Sequence, residues 1–483
     1  MVPQPYTRAR LSDRQPGHAA KHRRPQHPMP YHLTWPASAR PPDARKGTTR
    51  GAPPLSDTSA PLPPVRHAGG CMQPVLIRGR VDHIDGTTGE LLHRYTTVHE
   101  PGGVLPIACK TRRATRCPPC AETYRADTYQ LIRAGLTGGK GIPVTVAAHP
   151  AAFLTLTAPS FGPVHARRER NGRILRCRPR RAPRPCPHGA PLACGQRHGR
   201  DDPLLGEPMC RSCYDYTGTV LFNACAPELW RRFTITLRRA LARQAGLTAK
   251  ALAAQMRVSF AKVAEYQRRG VVHFHAIIRL DSSAGPATEP PAWATFDLLA
   301  AAIAQAAHAV RVHIPAVGGL PARTLAWGTQ HDTRPITTTG ELTDHNVAFY
   351  VAKYATKAAE CTGTLDRRLT PADRIDGLPV REHARRLIAE CIRLGKLPAL
   401  EDLHLAAWAH MLGFSGHFAT KSRSYSTTLS ALRAERAAHQ RAYAVAVGLL
   451  PDLPGDTILV RSWWNFTGRG HPDAGHGGDG PWI

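Results

Sequence analysis

Two short runs in this 483-residue chain hold residues whose types and spacing could do chemistry together. The first is His273-Phe274-His275, inside VVHFHAIIRL (271–280). On a strand, residues two apart point to the same face, so both imidazoles can reach one cation. The flanks Val271, Val272, Ala276, Ile277 and Ile278 are apolar and mark a strand buried at its centre. Upstream, MRVSFAKVAEY (256–266) reads as a partner strand, joined through Gln267-Arg268-Arg269-Gly270, a hairpin signal. If the loop proper holds an odd number of residues, Glu265 stands opposite His273 on the same face. Two imidazoles and one carboxylate form a three-ligand site with open positions, suited to Mg²⁺ or Mn²⁺. The pair alone is weak, because a chain with 25 histidines yields about one His-x-His by chance. Glu265 reads equally well as a surface residue near a turn.

The second run is Tyr350-Val-Ala-Lys353-Tyr354-Ala-Thr-Lys357. On a helix these two tyrosines and two lysines share a face. A phenol is a poor nucleophile until a nearby cation favours its anion. Lys353 can supply that charge or hold a scissile phosphate. An amphipathic helix with half-buried tyrosines and solvated lysines accounts for the same spacing.

The 12 cysteines suggest a different chemistry. Cys117/Cys120 and Cys210/Cys213 are Cys-x-x-Cys pairs, and paired thiolates on a tight turn provide half of a tetrahedral zinc site. Cys71 and Cys109 complete one set of four. For a second set the reading takes Cys186 and Cys194 with Cys210 and Cys213, although His188 and His198 lie close by. Cys177 has no clear role, and Cys225, Cys361 and Cys391 read as core. Between the sets runs Arg167, Arg168, Arg170, Arg173, Arg176, Arg178, Arg180, Arg181 and Arg184. Such a run neutralises phosphates without reading bases, or serves only as a solvated linker.

Composition points the same way. The net charge of +29 favours a polyanionic partner, nucleic acid first, although a GC-rich genome also spells arginine freely. No run of 18 apolar residues or signal-peptide core is present, so the reading is a cytoplasmic protein with no membrane partner. In that compartment cysteines serve as metal ligands more than as disulfides. The run Gly135-Leu-Thr-Gly138-Gly139-Lys140-Gly141 lacks the spacing of a phosphate-binding loop, so the chain brings no helicase of its own.

These residues need elements to position them. FLTLT (153–157) reads as a strand, 227–245 as a helix, then the two strands of the hairpin, a helix over 293–311, a strand over 323–333 and a helix over 344–360. That is an α+β, ferredoxin-like β-α-β-β-α-β order followed by a helix. Residues 1–68 read as a disordered basic Pro/Arg-rich segment, and 69–150 as a Cys-rich zinc-binding module with a helix at 121–135. A catalytic domain spans 151–360, with a zinc-module insertion at about 162–225. Helices at 381–394, 400–412 and 426–448 fill 361–450, and 451–483 reads as a flexible tail.

Taken together, FLTLTAPSFG (153–162), VVHFHAIIRL and YVAKY (350–354) resemble three motifs of the HUH endonuclease superfamily, specifically its rolling-circle replication initiators. From Cys71 to Thr428 the chain resembles actinobacterial plasmid and integrative-element initiators, through RRATRCPPCAETYRAD, GGKGIPVTV, APELWRRFTITL and TKSRSYSTT. The resemblance implies an endonuclease that nicks origin DNA with Tyr350, leaving a 5′-phosphotyrosine and a free 3′-OH. Tyr354 would act in the closing step and Lys353 beside both. His273, His275 and Glu265 would hold Mg²⁺ or Mn²⁺, with zinc structural. The implied partners are single-stranded and supercoiled origin DNA, a host helicase and a host polymerase, with Lys357 and the arginine run on DNA. A relaxase or single-strand transposase shares this chemistry, and a non-catalytic zinc-dependent DNA-binding regulator would explain the charge and cysteines alone.

Overall fold

The structure, a computed structural model, describes residues 68–181, 185–337, 343–356, 362–447 and 458–471. The expected disorder of 1–68 lies outside the described residues except at Ala68, and so do Lys357, Cys361 and Arg184. The chain first forms strands β1 (Val75–Asp85), β2 (Leu91–Thr96) and β3 (Leu105–Ile107), then helix α1 (Pro118–Thr137). The central part runs β4 (Ala151–Leu156), the hairpin strands β5 (Arg168–Arg170) and β6 (Arg173–Leu175), α2 (Tyr216–Gln244) and α3 (Ala249–Gln255). It continues through β7 (Met256–Gln267), β8 (Val271–Ser282), α4 (Phe296–Ala309), β9 (Val312–Ile314), β10 (Arg323–Leu325), β11 (His331–Pro335) and α5 (Asp344–Tyr354). Beyond these lie α6 (Glu382–Leu394), β12 (Ala419–Lys421), α7 (Leu429–Ala446) and β13 (Ile458–Arg469).

Five strands form the central antiparallel sheet in the order β11-β4-β8-β7-β12. Strand periodicity sorts its side chains onto two faces. Val272, Phe274, Ala276, Ile278 and Leu280 of β8 join Leu154 and Leu156 of β4 in the main core. Against them α2 sets Leu229, Phe233, Leu237 and Leu241, one per turn, and α4 adds Leu299 and Ile303. Each of the larger side chains here, Ala276 apart, contributes on the order of 1.5–3 kcal/mol by leaving water. The opposite face carries His273 and His275. There α5 turns Val347, Ala348, Val351 and Ala352 inward and packs on β7 and α1.

The far end of that face is closed by a buried polar cluster. Arg279 pairs with Asp281 at 2.6 and 2.9 Å, and His149 Nδ1 donates to Asp281 at 2.8 Å. The SRSYS run supplies Tyr425, whose hydroxyl donates to the Ile132 carbonyl at 3.1 Å. Its ring lies where a Cβ on Gly135 would stand, 2.2 Å from Tyr425 Cε1, so α1 needs glycine there.

Several expectations are corrected. The strand expected over 323–333 divides. Residues 323–325 pair with β9, and His331–Pro335 forms the sheet edge. Between them Gly328 donates to the Thr157 carbonyl at 2.7 Å, too close to Ala158 for a side chain. Helix α2 starts at Tyr216, capped by Asp215, and carries Pro227 inside rather than near its start. The residues expected as a helix at 400–412 form two short 3₁₀ turns, Pro398–Leu403 and Ala409–Met411. The expected tail is in part a strand: β13 pairs along the whole of β1, from Val75↔Arg469 to Asp85↔Ile458. Its run SWWNF is rich in strand formers, and Arg80 lies 4.4 Å over the Trp463 ring. Among the described residues no helix is long and apolar enough to cross a membrane.

Candidate active site and metal centres

The β7–β8 register places Glu265 directly opposite His273 and Val263 opposite His275. Three ligand atoms converge as a result. Glu265 Oε2 lies 2.9 Å from His273 Nε2 and 3.1 Å from His275 Nε2, and the two nitrogens are 3.0 Å apart. Three mutually adjacent positions of an octahedron with bonds near 2.1 Å stand about 3.0 Å apart, so the three atoms are spaced as ligands of one divalent cation. Burial pushes the Glu265 carboxyl up, but hydrogen bonds and charge from His273 and His275 outweigh it and bring the group to about 2. Burial lowers His275 to about 4, against the pull of Glu265. Glu265 is therefore anionic and His275 neutral at pH 7, the protonation states that a cation requires.

Strand β4 orients the buried imidazole. Thr155 sits opposite His275, and its hydroxyl accepts from His275 Nδ1 at 3.0 Å, which turns Nε2 toward Glu265. Phe153 stacks on the same ring at 5.8 Å, with planes 3° apart. FLTLT is legible as a strand motif, but its residue types alone give Phe153 and Thr155 no such tasks. Their alternation with the core residues Leu154 and Leu156 was the available signal.

Helix α5 brings the tyrosines over this cluster. Thr343 caps the helix through the Asn346 amide, and Tyr129 of α1 bonds His345 at 2.8 Å. Tyr350 Oη stands 3.2 Å from His275 Nε2, and the Tyr354 ring is 4.7 Å from that of Tyr350. Burial, with the neighbouring Tyr354 and Glu265, holds the Tyr350 phenol far above its usual range. Lys353 is exposed, and its Nζ lies 6.0 Å from the Tyr354 ring centroid.

The cysteines gather into three groups. Cys71, Cys109, Cys117 and Cys120 converge as expected. Pairing of Val75 with Ile107 brings Cys71 and Cys109 out at one end of β1 and β3, facing the start of α1. The sulfurs of Cys71 and Cys117 are 3.8 Å apart, and those of Cys109 and Cys120 are 3.6 Å apart. Edges of a tetrahedral zinc–thiolate site measure about 3.8 Å. Burial raises the Cys117 thiol, yet amide N–H groups of Cys120 and Met72 bring it down to about 7.

The expected second set is corrected. Cys186, Cys210 and Cys213 converge with His188, not with Cys194. Cys194 joins Cys177, His165 and His198, because a backbone bridge between Arg178 and Cys194 holds those segments side by side. Cys/His spacing in the sequence did not separate these interleaved groups. All three groups offer donors suited to zinc. Cys225 and Cys391 are buried in the core.

The arginine run is divided in its use. Arg168, Arg170, Arg173, Arg176, Arg180 and Arg181 are exposed. Arg167 pairs with Glu169 at 2.5 Å, and Arg178 donates to the Val164 carbonyl at 3.0 Å, so these two brace the insertion.

Residues 59–477 match the family RepSA, described as replication initiator protein, pSAM2. A protein of Streptomyces ambofaciens named replication initiator protein is 51% identical over 414 residues, covering 84% of this chain and 86% of its own length. No solved structure matches the chain. By the extent of both matches, this chain belongs to the pSAM2 replication initiator protein family.

Proposed function

We propose that this replication initiator nicks one strand of its origin by transesterification on Tyr350, as an HUH-type endonuclease. The observation that carries the reading is the 3.2 Å approach of Tyr350 Oη to His275 Nε2, at the edge of the Glu265–His273–His275 cluster. A nucleophile thus stands beside a ready ligand set on one sheet face.

In this reading Tyr350 Oη attacks the phosphorus, and the bond from phosphorus to the 3′ oxygen breaks. The phenol loses its proton, and the departing 3′ oxygen gains one. The product is a 5′-phosphotyrosine that keeps the energy of the broken bond. Tyr354, on the next helical turn, can attack the regenerated origin phosphate after a round of copying. The 3′-OH freed by that cut then attacks the Tyr350 phosphotyrosine, which joins the strand ends and releases Tyr350. A divalent cation on Glu265, His273 and His275 supplies Lewis-acid stabilisation of the phosphate charge when bound. The neutral phenol in the free protein is consistent with a nucleophile kept quiet until cation and DNA arrive. Thr155 and Phe153 hold the His275 ring in place, and the exposed arginines of the insertion supply phosphate contacts. The Cys71 group and the Cys186, His188, Cys210 and Cys213 group hold zinc as structural supports. Strand separation then falls to supercoiling or to a host helicase, and the free 3′-OH to a host polymerase.

The test uses purified protein and supercoiled DNA carrying its own origin. With Mg²⁺ or Mn²⁺, nicked circles and a covalent DNA–protein adduct on a denaturing gel are expected. Both should disappear in a His273→Ala, His275→Ala protein that still binds the DNA. Tight origin binding with no nick and no adduct in the wild type would support a non-catalytic regulator instead.

A further inference from the structure

The insertion between β4 and α2 holds two Cys/His groups whose members alternate along the chain. His165 and Cys177 belong to one, Cys186 and His188 to the other, Cys194 and His198 to the first, and Cys210 and Cys213 to the second. We infer that the His165–Cys177–Cys194–His198 group is a zinc site in its own right, and that the two sites form one cross-braced module. With the Cys71 group, the described residues then provide sites for three zinc ions. This inference is independent of the nicking reading.

The geometry of the first group is that of a tetrahedral site. With bonds of about 2.0 Å to nitrogen and 2.3 Å to sulfur, ligand atoms stand roughly 3.3–3.8 Å apart. His165 Nδ1 and His198 Nε2 are 3.3 Å apart, and Cys194 Sγ is 3.5 Å from the same Nε2. Cys177 and His198 are buried. His198 also has the outer partner that ligating histidines need. Its Nδ1 donates to Asp202 Oδ2 at 2.6 Å, which fixes the tautomer and points Nε2 at the other three ligands.

The backbone joins the two sites. Arg178 and Cys194 exchange hydrogen bonds of 2.8 and 2.9 Å, so Cys177 and Cys194 are carried on paired segments. The Cys186–His188 turn lies in the loop between them. His165 and Glu207 are likewise linked, N to O at 2.9 Å, on the segment that leads into Cys210. Neither site can close without chain that also serves the other. The module is docked on the central domain by Arg381, which donates to the Pro203 and Leu205 carbonyls at 2.8 and 2.9 Å. Its bracing therefore decides where the exposed arginines of β5 and β6 sit.

Zinc per chain is to be counted by mass spectrometry on the full-length His273→Ala, His275→Ala protein, so that only Cys-containing sites report. Three ions are expected. Two would overturn the additional site. On the same background, Cys177→Ser and Cys210→Ser should each leave one ion, because either change opens both braced sites. Two ions left in each variant would overturn the cross-brace and leave independent sites. Asp202→Asn keeps every ligand and guards against misfolding of the serine variants. It should speed release of zinc to a chromogenic chelator by about tenfold. An unchanged release profile would remove His198 from the proposed site.

Discussion

Tyr350 Oη and His275 Nε2 stand 3.2 Å apart, although they lie on a helix and a strand separated by 75 positions. The same nitrogen faces Glu265 at 3.1 Å, so any group bound between Glu265 and the imidazoles touches the phenol's surroundings. Tyr354 is further from this centre, with its ring centroid 6.0 Å from that of His275.

That difference separates the two tyrosines. Tyr350→Phe should lower formation of the covalent adduct by on the order of 10³-fold or more, the scale of losing a nucleophile. Tyr354→Phe should leave the first cut and the adduct in place while blocking the second cut that closes a round of copying. Gel analysis of a first cut on a labelled single-stranded origin oligonucleotide, and of a second cut when the isolated adduct is offered another such oligonucleotide, checks both. If Tyr354→Phe removes the adduct and Tyr350→Phe does not, the two roles are exchanged.

Thr155 is a positioning residue for His275. Thr155→Val leaves the buried Nδ1–H without an acceptor, a cost of about 1–3 kcal/mol. The ring then has no fixed tautomer, and Mn²⁺ affinity should fall by ~10–100-fold. Thr155→Ser keeps the hydroxyl and should restore it. Calorimetric Mn²⁺ titration of the three proteins decides the matter; equal affinity in wild type and Thr155→Val would show that the hydroxyl does not orient the ring.

How much of this was legible follows from the range of each signal. The period of two along 256–280 carried Glu265, His273 and His275 to one face, because hairpin register is a local property. The tyrosine helix was legible for the same reason. The partner of β13 was not, since Val75 pairs with Arg469 across nearly the whole chain and Gly-rich flanks mask the strand. The group that Cys194 joins is not legible, because ligand spacing does not reveal which segments the backbone lays side by side. The edge strand was misplaced because the turn at Gly328 depends on the approach of Thr157, a contact distant in sequence.

Lys262 gives a pH-dependent prediction away from the site. Its ammonium is 4.1 Å over the Phe274 ring and donates to the His417 carbonyl, and burial lowers it from 10.5 to about 8. Below pH 8 the lysine is charged in both states, and the folded state bears the full cost of burying it. Between pH 8 and 10.5 the unfolded chain binds more protons, so stability rises with pH through that window. Lys262→Met should be the more stable protein at pH 7, by on the order of 2–3 kcal/mol. Its advantage should shrink as pH approaches 10.5. Urea denaturation of both proteins across this range tests the sign, and a pH-independent difference would sink the argument.

The Cys71 group supports the tyrosine helix at one remove. Its ligands clamp the ends of β1 and β3 to the start of α1, and α1 packs along α5, where Tyr129 bonds His345 at 2.8 Å. Structural zinc contributes folding free energy directly, so its removal should loosen α1 and, through it, the placement of Tyr350. A chelator strong enough to strip zinc from thiolates should therefore lower both thermal stability and nicking. Excess Mg²⁺ or Mn²⁺, the ions proposed for the Glu265 site, offers nothing to thiolates, so it should not restore the activity. Zinc added back under reducing conditions should restore both. Cys117→Ser should reproduce the loss, with faster amide exchange in α1 as its direct readout. If Mg²⁺ alone returns full nicking to the stripped protein, the clamp does not govern the position of Tyr350, and α5 is held by the sheet alone.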